Sequence, residues 1–259
     1  MPRLAVVDDP MPYVLPQLYV GPLEGLTPAR LWHDETTDGA MGASLLDPFY
    51  LDELLTRFGR RHGHGDRRAV ASLWSKWHFS SVLATGLAAN LVLERDLPLG
   101  LDSLRVAQDR YGQTTGLLLR HEGRPLDTRE SPRRFATFID GHLTPLIEAL
   151  ANLSGASPKV FWSNAGNYFE HFARALAHHP LALPEVNAPA LALLEDATLP
   201  DGRRNPLYRP VRYLPDGDGD GPQRVRRLCC IRYLIGEHGY CGNCPLTCRT
   251  REPKHGAAS

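Results

Sequence analysis

RRAVASLWSKWHFSSVLATGLAANLVLE, residues 67–94, is the stretch that decides the fold. Within the body of this stretch, Lys76, His78 and Asn90 are the strongly polar side chains, and the rest are apolar or small. A helix that is apolar nearly all round lies at the centre of a protein. Its most apolar run, residues 81–93, is 13 residues long, whereas a bilayer span needs roughly 20. We therefore predict a buried central helix and no membrane span.

Other segments predict helices that surround this central one. Ser or Asp followed directly by Pro is typical of a helix start, because the first side chain caps the helix and Pro needs no hydrogen-bond acceptor there. Such starts predict helices over 47–60, 131–153 and 157–179, with Pro145 kinking or dividing the second of them. A weaker pattern predicts one further helix over 184–196.

Two β-rich runs, residues 101–110 and 115–123, lie on either side of the turn sequence YGQT and predict a hairpin. Residues 200–222 are dense in Pro, Gly and Asp, which is typical of a linker, with LYRPVRYL as a candidate interrupted strand. The predicted fold class is α+β: a mainly helical platform with a small hairpin or sheet and a short C-terminal segment. The predicted domain boundaries are 1–199, 200–222 and 223–259.

Charge and the N-terminal sequence restrict the function classes. Lys+Arg and Asp+Glu are equal at 29 each, so the chain has no global positive field for nucleic acid. The first twenty residues contain no long apolar run and do not resemble an export signal. We therefore expect a cytoplasmic protein in a reducing compartment, where clustered thiols hold metal or do redox chemistry more often than they form disulfides.

All five cysteines lie between residues 229 and 248. Cys229 and Cys230 are adjacent, and their side chains diverge in most backbone conformations, which does not suit one tetrahedral zinc ion. A [2Fe–2S] cluster has two irons and accepts thiolates from a wider range of directions. Gly242 and Pro245 fit a tight turn whose backbone N–H groups point at sulfur. From spacing alone a [2Fe–2S] cluster is favoured, with zinc and redox thiols left open.

The pattern Cys-Cys-x10-Cys-x2-Cys, in the setting RRLCCIRY...GYCGNCP, resembles the FhuF-type ferric-siderophore reductases. WSNAGN, residues 162–167, is similar to a helix-start segment of the same family. The resemblance implies a [2Fe–2S] cluster with four ligands, which are Cys229, Cys230, Cys241 and Cys244. Cys248 lies outside this motif and is expected to be a spare thiol or an alternative ligand.

The resemblance also implies an oxidoreductase that passes one electron to a ferric siderophore, of which hydroxamates are the leading class, and so releases Fe(II). The chain contains no GxGxxG fingerprint, so the electrons are expected from a partner protein such as a ferredoxin or a flavin/NAD(P)H-dependent reductase. We expect no nucleic-acid partner, and a location in the cytoplasm with peripheral association at the inner membrane face as an option.

Candidate substrate contacts follow from side chains near the motif or in stripes at helical spacing. Tryptophans on an apolar helix are more often core residues, and a polar stripe is more often simply the solvated side of a helix. The candidates are Arg227, Arg232, Trp74, Trp77, His78, Asn164 and Asn167.

Three other interpretations compete with the reductase. One is a non-catalytic protein with a structural zinc site at its C-terminus, and another is an iron–sulfur sensor. The third is a siderophore-biosynthesis relative that shares the helical platform, against which the presence of the cysteine motif argues.

Overall fold

The computed structural model describes residues 15–32, 39–215 and 221–247. Its helices are α1 Pro48–Arg61, α2 Arg67–Val92, α3 Ala136–Phe138, α4 Thr144–Ser154, α5 Pro158–Ala175 and α6 Ala188–Glu195. Its strands are β1 Arg30–Leu31, β2 Ala40–Met41, β3 Arg95–Asp96, β4 Leu104–Gln108, β5 Thr114–Leu119, β6 Arg124–Pro125, β7 Val211–Leu214 and β8 Gln223–Arg226. Helices surround a central helix and small sheets flank them, which confirms the predicted α+β class.

Helix α2 is the central element, as its composition predicts. Its N-cap Asp66 accepts a hydrogen bond from the Arg68 backbone N–H, and nearly every following residue to Leu91 is buried. Its neighbours include α5, α1 and α4. At Gly86 an added Cβ would lie 3.0 Å from the Phe138 ring, so this position needs a residue without a side chain. Among the described residues no helix has the length and apolar character to span a membrane.

The predicted hairpin is confirmed as β4 and β5, which pair antiparallel from Leu104↔Leu119 onward. They form the centre of a four-stranded sheet with the order β1-β5-β4-β2, in which β1 pairs parallel to β5. The connecting turn is fastened to the core helix, because Trp74 Nε1 of α2 donates a 2.9 Å hydrogen bond to the Gly112 carbonyl. Two two-stranded sheets, β3-β6 and β7-β8, complete the strands.

The two Ser-Pro helix starts have different outcomes. Ser157 caps α5 as predicted by accepting a hydrogen bond from the Lys159 backbone N–H. At Ser131 the predicted N-cap is not formed, but the predicted helical segment is present: it begins at Arg133 and passes through short 3-10, α and π turns into α4, which begins at Thr144. Pro145 sits in the first turn of α4, so it marks a new helix start and confirms the predicted division.

The C-terminal part of the chain is fixed to the helices by regular structure. Strand β7 lies inside the predicted linker and pairs antiparallel with β8, from Val211↔Arg226 to Leu214↔Gln223. Helix α6 starts four residues later than predicted, at Ala188. An added Cβ at Gly166 of α5 would lie 2.6 Å from the Pro210 side chain, so the chain crosses this helix closely. The domain boundaries themselves stay a prediction.

Candidate metal centre

Four cysteines approach one another just after β8. Cys230 Sγ lies 3.7 Å from Cys241 Sγ, and the Cys229 thiol is within hydrogen-bonding reach of Cys244. Cys230 and Cys244 are each 1% exposed and Cys241 is 8% exposed, whereas Cys229 is only half-buried. All four thiols are free. They form two pairs, Cys230 with Cys241 and Cys229 with Cys244, and Cys229 is the residue nearest the surface.

The backbone around the adjacent cysteines directs amide groups at sulfur. Ile231 adopts a left-handed conformation with φ of 51°, and its N–H donates to Cys229 Sγ at 3.3 Å. The Arg232 backbone N–H hydrogen-bonds to the Cys230 sulfur. These amides belong to the Cys-Cys loop, whereas the sequence prediction placed such groups in the turn near Gly242. That turn instead closes on itself, with Cys244 N–H donating to the Cys241 carbonyl at 3.1 Å.

The donor chemistry of this group fits an iron–sulfur cluster. Cysteine thiolates are the usual ligands of such clusters, and a [2Fe–2S] cluster takes four of them. Here four thiols lie close together in two pairs. Cys229, Cys230, Cys241 and Cys244 are the residues that would hold the cluster.

Charge within the thiol pairs is shared unequally. The hydrogen bond with Cys241 lowers the pKa of Cys230 to about 5, and the positive charges of Lys76 and Arg226 lower this pKa further. The same hydrogen bond, together with burial, raises the pKa of Cys241. Burial raises the pKa of Cys229.

Two cations face the cysteines from the protein side. Arg226 is 0% exposed, and its Nη2 donates to Asn164 Oδ1 at 2.5 Å and to Ser163 Oγ at 3.2 Å. Its Nε and Nη1 are buried and have no hydrogen-bond partner among the described residues. Burial lowers the pKa of Lys76, while the nearby Cys230 opposes this shift. An unpaired buried guanidinium is costly, so negative charge beside it would be stabilised.

Hydrogen bonds tie the Cys-Cys loop to both central helices. Ser72 of α2 donates from its hydroxyl to the Cys230 carbonyl at 2.7 Å. Asn164 of α5 donates to the Ser72 carbonyl and hydroxyl and to the Ser75 hydroxyl, each at 3.0 Å. Because the same Asn164 accepts from Arg226, one side chain links α2, α5 and β8.

Asn167, one turn further along α5, holds the second cysteine loop. Its Oδ1 accepts from Asn243 Nδ2 at 2.8 Å and from Arg224 Nη1 at 2.9 Å. Asn243 lies between Cys241 and Cys244, and its carbonyl accepts from the Arg226 backbone N–H. Glu170, one further turn along, accepts hydrogen bonds from Arg224 and Tyr213. Burial is the largest single influence and raises the pKa of Glu170, but these hydrogen bonds and the charge of Arg224 together lower it. The polar side chains Asn164, Asn167 and Glu170 of α5 therefore hold the cysteine segment in place.

The seven candidate substrate contacts are not all accessible. Trp74 and Asn164 are 0% exposed, and Asn167 is 8% exposed. His78 is buried between Thr114 and His142, with Nδ1 at 2.9 Å and Nε2 at 2.8 Å from their side chains, and burial lowers its pKa well below the usual value. These four residues are occupied by internal contacts and offer no surface to a docked chelate.

The remaining three candidates reach solvent. Trp77 is 49% exposed and Arg227 is exposed, while Arg232 is half-buried and donates from its guanidinium to the Gly239 and Tyr240 carbonyls. Sequence reasoning missed Lys76, Ser72 and Asn243 as parts of the site. Ser72 and Lys76 are four residues apart on α2, so the sequence shows that they share one face of this helix. It does not show that the cysteine segment packs against that face. Cys248 lies outside the described residues.

The comparisons with known proteins agree with this geometry. The family model described as "Ferric iron reductase FhuF-like transporter" matches residues 72–221, which is more than half of the chain. The model described as "FhuF 2Fe-2S C-terminal domain" matches residues 226–246, the segment that carries the four described cysteines. The chain is also 28% identical over 184 residues to the ferric siderophore reductase of Escherichia coli (strain K12), covering 70% of this chain and 67% of that protein. The chain therefore belongs to the FhuF-like ferric iron reductase family and is an oxidoreductase with a [2Fe–2S] cluster.

Proposed function

We propose that this protein reduces ferric siderophores by one electron and thereby releases Fe(II). The observation that carries the proposal is the arrangement of the cysteines: three are buried beside Arg226, and Cys229 is the one nearest the surface. When bound, a [2Fe–2S] cluster supplies electrons one at a time. Membership of a ferric iron reductase family, and similarity to a ferric siderophore reductase, support the same assignment.

The chain's residues define where a substrate can approach. Cys229 would be the cluster ligand closest to a docked chelate, because the other three sulfurs are covered by protein. Arg226 and Lys76 lie on the protein side of the cysteines, where they would offset the negative charge of the thiolates. Of the sequence candidates, the exposed Arg227 and Trp77 and the half-buried Arg232 remain as proposed substrate contacts.

Chemistry explains why one electron suffices. Siderophores hold Fe(III) through hard oxygen donors, and Fe(II) is a softer ion of lower charge that the same donors bind more weakly. Reduction of the ferric ion therefore frees the metal and leaves the chelator intact. No general acid, base or nucleophile is needed in this reaction. We propose that a ferredoxin or a flavin/NAD(P)H-dependent reductase supplies the electron and that the reaction takes place in the cytoplasm.

A single-turnover experiment tests the proposal. The purified protein would be reduced without oxygen and mixed with a panel of ferric chelates that includes hydroxamates. We expect the visible absorption of the oxidised protein to return while a ferrous-specific dye reports one Fe(II) per reoxidised cluster. Reoxidation by none of the chelates would overturn the reductase assignment. A colourless protein that contains zinc and no acid-labile sulfide would overturn the cofactor assignment as well.

A further inference from the structure

A cleft of about 430 Å³ opens beside the Cys-Cys loop, and we call it the cationic cleft. Its walls come from the start of α5, from the chain before β7 and from the two residues after β8. The lining residues that matter here are Lys159, Trp162, Arg204, Tyr208, Arg227 and Leu228. It is large enough for a small chelate of drug-like size.

The cationic cleft lies next to the cysteine nearest the surface. Leu228 is 48% exposed in its wall and directly precedes Cys229, so their Cα atoms are about 3.8 Å apart. The wall is also fixed in place, because the Ser163 hydroxyl donates to the Leu228 carbonyl at 3.0 Å. A molecule that contacts Leu228 in this cleft would therefore lie one residue away from Cys229, a proposed cluster ligand.

The charge of the cationic cleft has one sign. Four cations line it, and no Asp or Glu is among its described lining residues. Arg209 is the cation that has an ion pair, with Glu195, whereas Lys159, Arg204 and Arg227 have none among the described residues. All three side chains are exposed. Since the whole chain has a net charge of zero, this excess of positive charge is a local feature of the cleft.

The cleft also offers aromatic surface. Trp162 and Tyr208 are half-buried in its walls, and their flat faces suit the organic frame of a ligand. Arginine guanidinium groups match carboxylates in a bidentate geometry. The lining therefore favours an organic ligand that carries exposed carboxylates over one that is neutral.

We propose that the cationic cleft binds ferric chelates of net negative charge, of the carboxylate and hydroxycarboxylate class. This inference rests on the proposed function and names its substrate class. A neutral tris-hydroxamate chelate has no net charge for the three unpaired cations to attract, whereas an anionic ferric citrate complex would be attracted by all three. The bound chelate would sit against Leu228, beside Cys229, where one electron reduces its Fe(III) to Fe(II).

Gallium(III) chelates separate binding from reduction, because Ga(III) has the charge of Fe(III) but is not reduced here. Titration calorimetry would measure the Kd of gallium(III) citrate and of a neutral gallium(III) tris-hydroxamate with the cluster-loaded protein. We expect the citrate complex to bind more tightly and to weaken as salt is raised, because salt screens charge. Equal binding of the two chelates, or salt-independent citrate binding, would overturn the inference.

Variants locate the site. We expect Lys159→Gln/Arg204→Gln/Arg227→Gln to raise the Kd of gallium(III) citrate by at least about tenfold, because three attractive charges are lost. The control Arg30→Gln removes an exposed cation from strand β1 at the sheet edge and should change this Kd less than about twofold. Arg227→Gln alone serves if the triple variant fails to retain its visible spectrum. Unchanged citrate binding in a folded variant would sink the proposal.

The ferric counterparts of the same chelates distinguish the two proposals. Charge-dependent gallium binding without any ferric reoxidation of the reduced protein would support the cationic cleft and refute the reductase function. Reoxidation at equal rates by anionic and neutral ferric chelates, without charge-dependent binding, would support the function and refute the substrate class.

Discussion

Arg226 determines much of the charge balance at the metal centre. Its guanidinium is completely buried, uses Nη2 for Asn164 and Ser163, and leaves Nε and Nη1 without partners among the described residues. Positive charge beside a cluster stabilises its more negative reduced form and so raises its reduction potential. The sequence places Arg226 three residues before the adjacent pair Cys229-Cys230, but it cannot show that this arginine is buried while its neighbour Arg227 is exposed.

Replacement of this buried charge should change the potential. We expect Arg226→Gln to make the midpoint potential more negative by about 60 mV, which is a tenfold change for a one-electron couple. Redox titration followed by visible absorption measures this. Arg227→Gln is the matched control, since its exposed charge is screened by water and should have a much smaller effect. Equal shifts in the two variants would contradict the role given to burial.

The ligand set makes a separate prediction at the same scale. We expect Cys244→Ser to abolish the visible absorption of the purified protein, because Cys244 is buried within the thiol group. Cys248→Ser should retain it, since Cys248 is outside the four-cysteine motif. Absorption spectra and iron analysis of protein purified without oxygen compare the two. Loss of colour in the second variant would show that the ligand set is wrong.

At the scale of elements, α5 shows how far sequence patterns reach. Its start at Ser157-Pro158 and its apolar face are local properties, and both could be predicted from the sequence. Its polar face looked like a solvated surface, but Asn164 and Asn167 are buried because the cysteine segment, some sixty to eighty residues later, lies on them. Ser131-Pro132 has the same local signal as Ser157-Pro158, but Ser131 caps no helix and its Oγ has no hydrogen-bond partner among the described residues. Contacts between distant segments are not encoded in periodicity.

The asparagine contacts predict a change in cluster retention. We expect Asn167→Ala to leave Arg224 and Asn243 without their shared acceptor and to destabilise the cysteine segment by about 1–3 kcal/mol. The visible absorption should then be lost at a temperature several degrees lower, while far-UV circular dichroism changes less. His171→Ala removes an exposed polar side chain of the same helix, α5, and should leave both transitions in place. Identical behaviour of the two variants would contradict the role of Asn167.

At the scale of the whole molecule, the core could be predicted better than the site. The nearly uninterrupted apolar character of residues 67–94 places α2 at the centre, and the structure confirms this. The cationic cleft combines three separate stretches of chain, so no single stretch of sequence reveals it. Within the core, His78 and His142 form a buried chain in which His142 Nδ1 donates to the Leu99 carbonyl at 2.7 Å.

This buried histidine pair predicts how stability depends on pH. Burial lowers the pKa of His142 to about 4 and the pKa of His78 well below its usual value. Above pH 6.5 these histidines are neutral in both states and add no pH dependence. Below it the unfolded chain binds protons that the folded chain does not, so stability falls as the pH drops towards 4. For His142 the loss is on the order of 3 kcal/mol.

Denaturant unfolding at a series of pH values checks this. We expect His142→Gln to show a shallower fall in the free energy of unfolding between pH 6.5 and 4 than the unmodified protein. The exposed His178 offers the matched control, and His178→Gln should keep the original slope. An unchanged slope in His142→Gln would show that this residue does not account for the acid sensitivity.

The cysteine group forms a cluster of contacts of its own, separate from the large hydrophobic core that the helices build. Because polar side chains of α2 and α5, and not that core, hold the loops that carry the cysteines, dilute denaturant should release these loops before the helices unfold.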